Sequence, residues 1–238
     1  LGPLPIVNHF IDRLGLEEIL ARHLPPPDER TKVPYDKALG VLLRSVIVER
    51  EPIYRQQELV EAFCPRVFGL SSRQANNLSD DNVGRALDRL FSADRATLLT
   101  EVVVAARKRF QLRLDELHND SSTVRLTGQY SQATGRSIRG KRAPWVTYGR
   151  SKDRRGDLKQ LLLNLTTTSD GDVPVHGFCA DGNTSDSKTH VETWRSLCGL
   201  HGGPDFLYVA DSKLCSQEQM LDIADEGGRL VTVLPRSR

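Results

Sequence analysis

Two short stretches decide the fold: LRLDELHNDSST at residues 112–123 and FLYVAD at residues 206–211. In the first, leucines recur with a loose alternation that predicts a half-buried strand ending at Asp120. In the second, an apolar run of the same kind ends on Asp211. Mg²⁺ takes hard oxygen ligands, usually one or two carboxylates together with water and substrate phosphates. The sequence therefore predicts a metal site at Asp120 and Asp211.

Each aspartate alone has a simpler explanation. Asp211 is suited to cap a following helix, because Asp is common at that position. Asp120 is suited to end a strand in a turn. The pair, each at the end of an apolar run, is what favours a metal site. Asn119 and Ser121 are expected to shape the loop beside Asp120 rather than to perform chemistry.

Length and composition indicate a folded protein. The chain has 238 residues, enough for one large domain or two small ones, and 38% hydrophobic with 27% charged residues is typical of soluble globular proteins. Four scattered cysteines favour free thiols in a reducing cytoplasm. No apolar run approaches the roughly 18 residues of a membrane span, and no signal peptide is visible. We therefore expect a cytoplasmic protein without a membrane partner.

Helical spacing dominates residues 1–110, which predicts an all-α amino-terminal domain. Several short helices in succession often bind DNA through one exposed helix. A helical bundle whose charges are merely solvated explains the same pattern, because helices alone specify little about function. Helix starts are predicted at Pro34, Pro52, Ser79 and Ser92.

From residue 111 the pattern changes to strands and helices. The strand ending at Asp120 is followed by a predicted hairpin over residues 158–179, a helix over residues 188–197 and the strand ending at Asp211. A helix capped by Ser216 and a final strand complete the order. Hairpin strands followed by alternating helices predict a mixed sheet with helices on its faces. We therefore divide the chain into domains 1–110 and 111–238.

Residues 136–159 carry most of the positive charge. They contain nine basic and two acidic side chains, a net charge of +7, with Trp145 and Tyr148 between them. A basic patch with interleaved aromatic residues is typical of nucleic-acid binding, although a solvated surface explains a charge run equally well. The candidate DNA-binding residues are Arg139, Lys141, Arg142, Lys152, Arg154 and Arg155.

Two further motifs are rejected. Residues 135–142, GRSIRGKR, imitate a phosphate-binding loop, but Arg142 stands where a Ser or Thr must reach magnesium. Cys198 and His201, with Cys179 or Cys215, lack the second closely spaced ligand pair that a zinc site needs.

The order of elements resembles the ribonuclease H-like core of bacterial insertion-sequence DDE transposases that carry a helical amino-terminal domain. The stretches that carry this resemblance are LSDDNVGRALDRLF (78–91), DSS (120–122), YGRSKD (148–153), DLKQ (157–160), DGNTSD (181–186) and VAD (209–211). Each motif is short, but their order and spacing together are specific. The implied fold is α/β, a mixed-sheet ribonuclease H-like core that is incomplete, preceded by an all-α domain for DNA-end binding or dimerisation.

The resemblance implies metal-dependent DNA cleavage and strand transfer, with two Mg²⁺ or Mn²⁺ ions held by three acidic residues. Asp120 matches the first acid and Asp211 the second, 91 residues later. The implied partners are double-stranded DNA, as element terminal repeats and target DNA, and further copies of the chain in a homo-oligomer. The implied location is the nucleoid of a prokaryotic cytoplasm.

The third acid of such enzymes, a glutamate within a pattern of Tyr, Arg, Glu and Lys, has no match. Glu218 and Glu226 lie on the helix directly after Asp211, at the wrong place in the topology. The chain opens on Leu1 and stops directly after an apolar run, so we expect a fragment, truncated before the third acid and inactive by itself. The alternatives are a non-catalytic DNA-binding or dimerising derivative of a transposase, and a metal-dependent nuclease.

Overall fold

The computed structural model describes residues 2–29, 31–150, 155–185 and 189–235. It divides into two compact units, Leu1–Phe110 and Gln111–Arg238. The described part of the first unit is helical, with two short 3₁₀ segments at Ile53–Arg55 and Pro65–Phe68. Its α-helices are α1 (Leu4–Leu14), α2 (Leu16–His23), α3 (Tyr35–Val48), α4 (Gln56–Ala62), α5 (Ser72–Ala75), α6 (Asp80–Ser92) and α7 (Arg95–Phe110).

The last two helices of this unit differ in how well the sequence predicts their caps. The cap predicted at Ser79 is confirmed, because the Ser79 hydroxyl accepts from the Asn82 amide and the Asn82 side chain accepts from the Ser79 amide. The cap predicted at Ser92 is wrong, since Ser92 ends α6. Asp94 takes that role, and its carboxylate accepts from the Thr97 amide at 3.2 Å. A negative charge at this position also interacts favourably with the helix dipole.

The helical unit closes around its own apolar core. The innermost side chains come from the interhelical loops as well as from the helices, which explains how short helices obtain a stable core. The most deeply buried of them are Leu4, Val33, Ala38, Val41, Val60, Phe68, Leu78, Val83 and Ala86.

The second unit contains a five-stranded sheet in the order β5-β4-β1-β6-β7. The strands β1 and β4 are antiparallel, as are β4 and β5, whereas β6 is parallel to both β1 and β7. This order is that of a ribonuclease H-like core, so the predicted mixed α/β fold is confirmed. The bounds are β1 (Glu116–Leu126), β2 (Ser137–Ile138), β3 (Lys141–Arg142), β4 (Lys159–Thr168), β5 (Pro174–Asp181), α8 (His190–His201), β6 (Leu207–Ala210), α9 (Gln217–Asp225) and β7 (Arg229–Val231).

The first strand is longer than the sequence predicts. Asp120 is not its last residue, because β1 continues six residues further, to Leu126, and pairs with β4 along that whole length. Although the polar run around Asp120 predicts a loop, Asn119 and Ser121 point to the buried side of the sheet. There Asn119 finds hydrogen-bond partners, which removes the cost of burying its amide. The prediction that Asn119 and Ser121 shape a loop is therefore wrong.

A layer of polar side chains lies between the sheet and α8. The Asn119 amide donates to Asn164 Oδ1 at 2.7 Å and to Thr166 Oγ1 at 2.9 Å. Next to them, one ring nitrogen of His190 lies 3.2 Å from the Tyr208 hydroxyl. All five residues are buried. The covered face of the sheet is therefore held by hydrogen bonds as well as by apolar contact.

Two structural differences concern the ends of elements. The final strand stops at Val231, earlier than predicted, and the helix predicted from residue 188 begins at His190, with residue 188 itself outside the described residues.

Within the described part of the chain, none of the helices combines the length and the apolarity that crossing a bilayer requires.

Candidate metal centre and nucleic-acid interface

The sheet brings Asp120 and Asp211 to neighbouring positions. The parallel pairing of β1 with β6 ends at the pair Asn119–Ala210; Asp120 is the next residue of β1, and Asp211 directly follows the last residue of β6. Adjacent strands lie about 4.8 Å apart, and residues opposite each other share a face of the sheet. Both aspartates are exposed, while Asn119 and Ala210 are buried. The two carboxylates therefore occupy one edge of the open face, opposite the face that α8 covers.

Local hydrogen bonds orient each aspartate. Asp120 Oδ1 accepts from the Ser121 amide at 2.7 Å, and Asp211 Oδ1 accepts from the Lys213 amide at 3.0 Å. The Asp211 carbonyl also accepts from the Thr232 hydroxyl at 2.6 Å, which fixes the turn after β6. Asp211 does not cap α9, because the Ser216 side chain does so by accepting from the Gln219 amide. Asp120, in the middle of β1, does not end a strand.

The chemistry of this pair suits a hard divalent cation. Two carboxylates are the usual protein contribution to a magnesium site, which keeps water and substrate phosphates as its other ligands. Among the residues that the structure describes, no three or more His, Cys, Asp or Glu side chains gather in one group that could hold a metal. Glu226, considered in the sequence as a third acid, instead forms an ion pair with Arg195.

The open face carries two more polar residues: Glu116, which the sequence did not single out, and His118, whose role the sequence left open. Glu116 and His118 precede Asp120 at alternate positions of β1, so all three side chains lie on the same face. His118 Nε2 is 2.7 Å from Glu116 Oε1. The sequence signal that could have identified this polar row is the alternation of acidic and imidazole side chains along residues 116–120.

Tyr208 is a buried residue of β6, and its environment keeps its phenol neutral. Burial raises the pKa of its phenol well above the usual range, and the negative charge of Asp211 raises it further. Tyr208 is fully buried and contacts His190. It is therefore part of the support under β6 and not an acid or base of the open face.

The basic stretch forms an arm, residues 127–150, whose centre is the two-stranded ribbon of β2 and β3. Arg139 and Gly140 make the turn of this ribbon, both with positive φ, at 51° and 77°. A two-residue turn of this kind matches the twist of a hairpin. Arg139 is exposed at the turn, and Lys141 is half-buried on β3.

The other candidate DNA-binding residues are differently placed. Arg142 forms an ion pair with Asp181, and Arg155 forms one with Asp157 at 2.7 Å. Each pair holds the pKa of its carboxyl below the usual range, chiefly through the hydrogen bond from the arginine. Lys152 and Arg154 lie outside the described residues. The structure thus brings Arg139, Lys141 and Arg142 together on one ribbon.

The arm is fastened to the end of the hairpin β4–β5. Asp181, the last residue of β5, accepts hydrogen bonds from the Arg142 guanidinium and, at 2.9 Å, from the Trp145 amide. Gly182 donates its amide to the Trp145 carbonyl at 3.0 Å and accepts from the Gln160 side chain at 2.7 Å. The motif at residues 181–186, singled out in the sequence, therefore begins with the two residues that hold the arm.

The helical unit offers a different surface. A groove of about 460 Å³ is lined by Tyr54, three aspartates and Arg85, with Ile53 and Gly84 completing it. The aspartates are Asp80 and Asp81 in the first turn of α6 and Asp88 in the second half of the same helix. Negative charge repels phosphates. This groove is therefore better suited to a protein surface than to a nucleic-acid backbone.

This chain is similar to one family model and to several solved structures. A family model described as a domain of unknown function, DUF4277, matches residues 1–104. No curated protein matches the sequence. Among solved structures, the chain is similar to a piggyBac transposase in a synaptic complex with hairpin DNA, with 13% identity and a TM-score of 0.44 over 86% of this chain. It is also similar to the Mos1 transposase in a paired-end complex with the left transposon end, with 12% identity and a TM-score of 0.32 over 90% of this chain.

These likenesses concern the fold alone. The chain spans 42% of the piggyBac chain and 62% of the Mos1 chain in the paired-end complex. In the Mos1 strand transfer complex it spans 79% of that chain, at 11% identity and a TM-score of 0.31. The fold assignment itself rests on the strand order and directions of the sheet.

Proposed function

We propose that this chain is part of a DDE-type DNA transposase of an insertion sequence, acting on DNA by metal-dependent phosphoryl transfer. The observation that supports the proposal is the register of β1 and β6, whose pairing ends at Asn119 and Ala210, directly before Asp120 and Asp211. Two exposed carboxylates that follow paired residues of adjacent strands, each accepting from a backbone amide, are a suitable site for a divalent cation.

Asp120 and Asp211 would hold Mg²⁺ or Mn²⁺, with two ions expected in the complete enzyme. Such ions activate a water or a DNA 3′-hydroxyl and stabilise the leaving oxygen during in-line displacement. The protein's own contribution is orientation. The Ser121 and Lys213 amides fix one oxygen of each carboxylate, and the hydrogen-bonded layer under β1 keeps Asp120 on the open face.

The partners proposed are double-stranded DNA, as element ends and target, and a second copy of the chain. The arm supports the first, because Arg139 and Lys141 present positive charge on a ribbon that is tied to the sheet. The acidic groove of the helical unit supports the second, since it is unsuited to phosphate. Of the two roles expected for residues 1–110, we therefore favour dimerisation over DNA-end binding.

The test uses the 238-residue chain and Mn²⁺ as the probe, followed by electron paramagnetic resonance. We expect Mn²⁺ binding that weakens at least about tenfold in Asp120→Asn and in Asp211→Asn, because each variant loses a charged ligand. Asp115→Asn is the matched control, an exposed aspartate just before β1 whose loss should leave binding unchanged. Equal binding by all four proteins would reject the site.

In the complete protein, Asp120→Ala and Asp211→Ala should each abolish DNA strand cleavage while end binding stays nearly intact. Cleavage that survives either change contradicts the assignment. DNA binding by the 238-residue chain without any Mn²⁺ binding would instead favour a non-catalytic DNA-binding derivative.

A further inference from the structure

An exposed tyrosine lies beside one lysine at the base of the arm. Lys159 Nζ lies 6.0 Å from the centroid of the Tyr148 ring and also donates a hydrogen bond to the Gln129 carbonyl. Tyr148 is 56% exposed. An ammonium over one face of a ring is a favourable cation–π contact. Much of the remaining ring surface of Tyr148 is open to a ligand.

The backbone that carries Tyr148 is held in place from both sides. Before it, Thr147 forms a pair of backbone hydrogen bonds with Gln160 of β4, at 2.9 and 3.4 Å. After it, Gly149 packs so closely on Gly182 that a Cβ atom would lie 1.9 Å from the Gly182 carbonyl oxygen. A ring on a fixed backbone loses little conformational freedom when a ligand stacks on it. The site is therefore built before any ligand arrives.

This cluster shares the open face of the sheet with the aspartates. Lys159 is the register partner of Leu126, at the far end of β1, and it alternates with the buried residues of β4. Asp120 lies six residues before Leu126 on the same strand, which corresponds to about 20 Å along the sheet. That span equals roughly six base-pair steps of duplex DNA. A strand passing the aspartates can therefore reach Tyr148.

The charges at this end of the sheet favour stacking over phosphate binding. Lys159 is engaged by a carbonyl and a ring, Arg142 by Asp181, and Arg155 by Asp157. A duplex would have to compete with these partners for the cations, and its bases are already stacked on one another. An unpaired base instead offers a free aromatic face, and stacking on a protein ring contributes to single-strand binding without requiring a sequence.

We propose that Tyr148, backed by Lys159, is a stacking site for an unpaired base of the DNA strand that runs along the open face. This inference rests on the proposed function, because it assumes that DNA lies on that face. It adds that the preferred ligand is DNA with unpaired nucleotides and not a fully paired duplex.

The test measures binding of a forked DNA and of a blunt duplex by the 238-residue chain, with 2-aminopurine in the unpaired end of the forked DNA as the stacking probe. The variants are Tyr148→Ala and Tyr148→Phe. The matched control is Phe10→Ala, which removes an aromatic ring, 45% exposed, from the helical unit. The thermal unfolding of each variant is compared with that of wild type. Removal of an exposed ring should leave the unfolding temperature unchanged.

We expect wild type to bind the forked DNA more tightly and to quench the 2-aminopurine. Tyr148→Ala should bind the forked DNA about tenfold more weakly and should no longer quench the 2-aminopurine fluorescence. Its affinity for the duplex should fall by less than about twofold. Tyr148→Phe should retain both, because it keeps the ring. Equal losses on fork and duplex, or no loss, overturn the stacking site. Wild type that binds duplex without preference overturns this inference alone, whereas wild type that binds neither DNA overturns the proposed function as well.

Discussion

Gly149 packs directly against Gly182, and each position has room for a glycine only. A Cβ atom on Gly149 would lie 1.9 Å from the Gly182 carbonyl oxygen, and one on Gly182 would lie 2.1 Å from the Gln160 carbonyl oxygen. Both obstacles are backbone atoms, which cannot move aside as a flexible side chain does. The two glycines belong to separate motifs, residues 148–153 and 181–186: the backbone of Gly182 leaves no room for a Cβ atom on Gly149, and the backbones of Gln160 and Thr147 leave none on Gly182.

Gly149→Ala should therefore detach the arm from the sheet. We expect a loss of about 1–3 kcal/mol in the free energy of unfolding of the second unit, the cost typical of overpacking. Amide hydrogen exchange should become faster in residues 127–150. Gly156→Ala is the control, because none of the described residues lies within 4 Å of its Cβ position. Unchanged exchange in the arm of Gly149→Ala would show that the close packing does not hold it.

Asn119→Ala should destabilise the sheet from its covered face. The change leaves Asn164 and Thr166 without the amide that now donates to them at 2.7 and 2.9 Å. A buried polar group that loses its partner costs about 1–3 kcal/mol, measurable by urea unfolding. Ser122→Ala, on the exposed side of the same strand, should cost less than about 0.5 kcal/mol. Equal effects of the two changes would contradict a structural role for the polar layer.

The arm predicts a salt-dependent DNA affinity. Neutralising Arg139 and Lys141 together, as Arg139→Gln and Lys141→Gln, should reduce the slope of log affinity against log salt by about 1 for each DNA phosphate that these side chains neutralise. The measurement is fluorescence anisotropy of a labelled duplex over a range of salt. Arg113→Gln, exposed and outside the arm, is the control. A slope that the double variant leaves unchanged would show that the ribbon does not face phosphates.

His176 predicts that the second unit loses stability in mild acid. Burial lowers the pKa of its imidazole. The unfolded chain, with a pKa near about 6.5, then binds the proton more readily than the folded one. The contribution of His176 is fully present above that value and is lost as pH falls through the lowered pKa. His176→Gln should flatten this dependence in unfolding experiments between about pH 7 and pH 5, whereas His9→Gln, exposed on α1, should not. Parallel pH curves for wild type and His176→Gln would contradict the linkage.

The parts of the fold that were predictable are those set by local pattern. The hairpin over residues 158–179, the helical spacing of residues 1–110 and the cap at Ser79 are all visible in short windows of sequence. The length of β1 was not predictable from the local sequence, because the hydrogen-bond partners of Asn119 are Asn164 and Thr166, more than 40 residues away. Polar residues normally indicate a loop, and only tertiary hydrogen bonds make them acceptable inside a sheet.

The candidate site divides in the same way. Asp120 and Asp211 each follow a short apolar run, so they were identifiable as candidates, but their proximity depends on the pairing of β1 with β6. The ion pair between Arg142 and Asp181 spans 39 residues and has no local signal. The sequence alone therefore did not show whether a given basic side chain forms an ion pair within the fold.

The hydrogen-bonded layer under β1 has a consequence for the accuracy of the open face. A strand displaced by one residue would turn Asp120 inward and leave the Asn119 amide outside, far from Asn164. Leucines in that layer would tolerate such a displacement, because apolar contact has no direction, whereas amide and hydroxyl groups must meet particular partners. The covered side of the sheet is thus what makes misalignment of the two carboxylates costly.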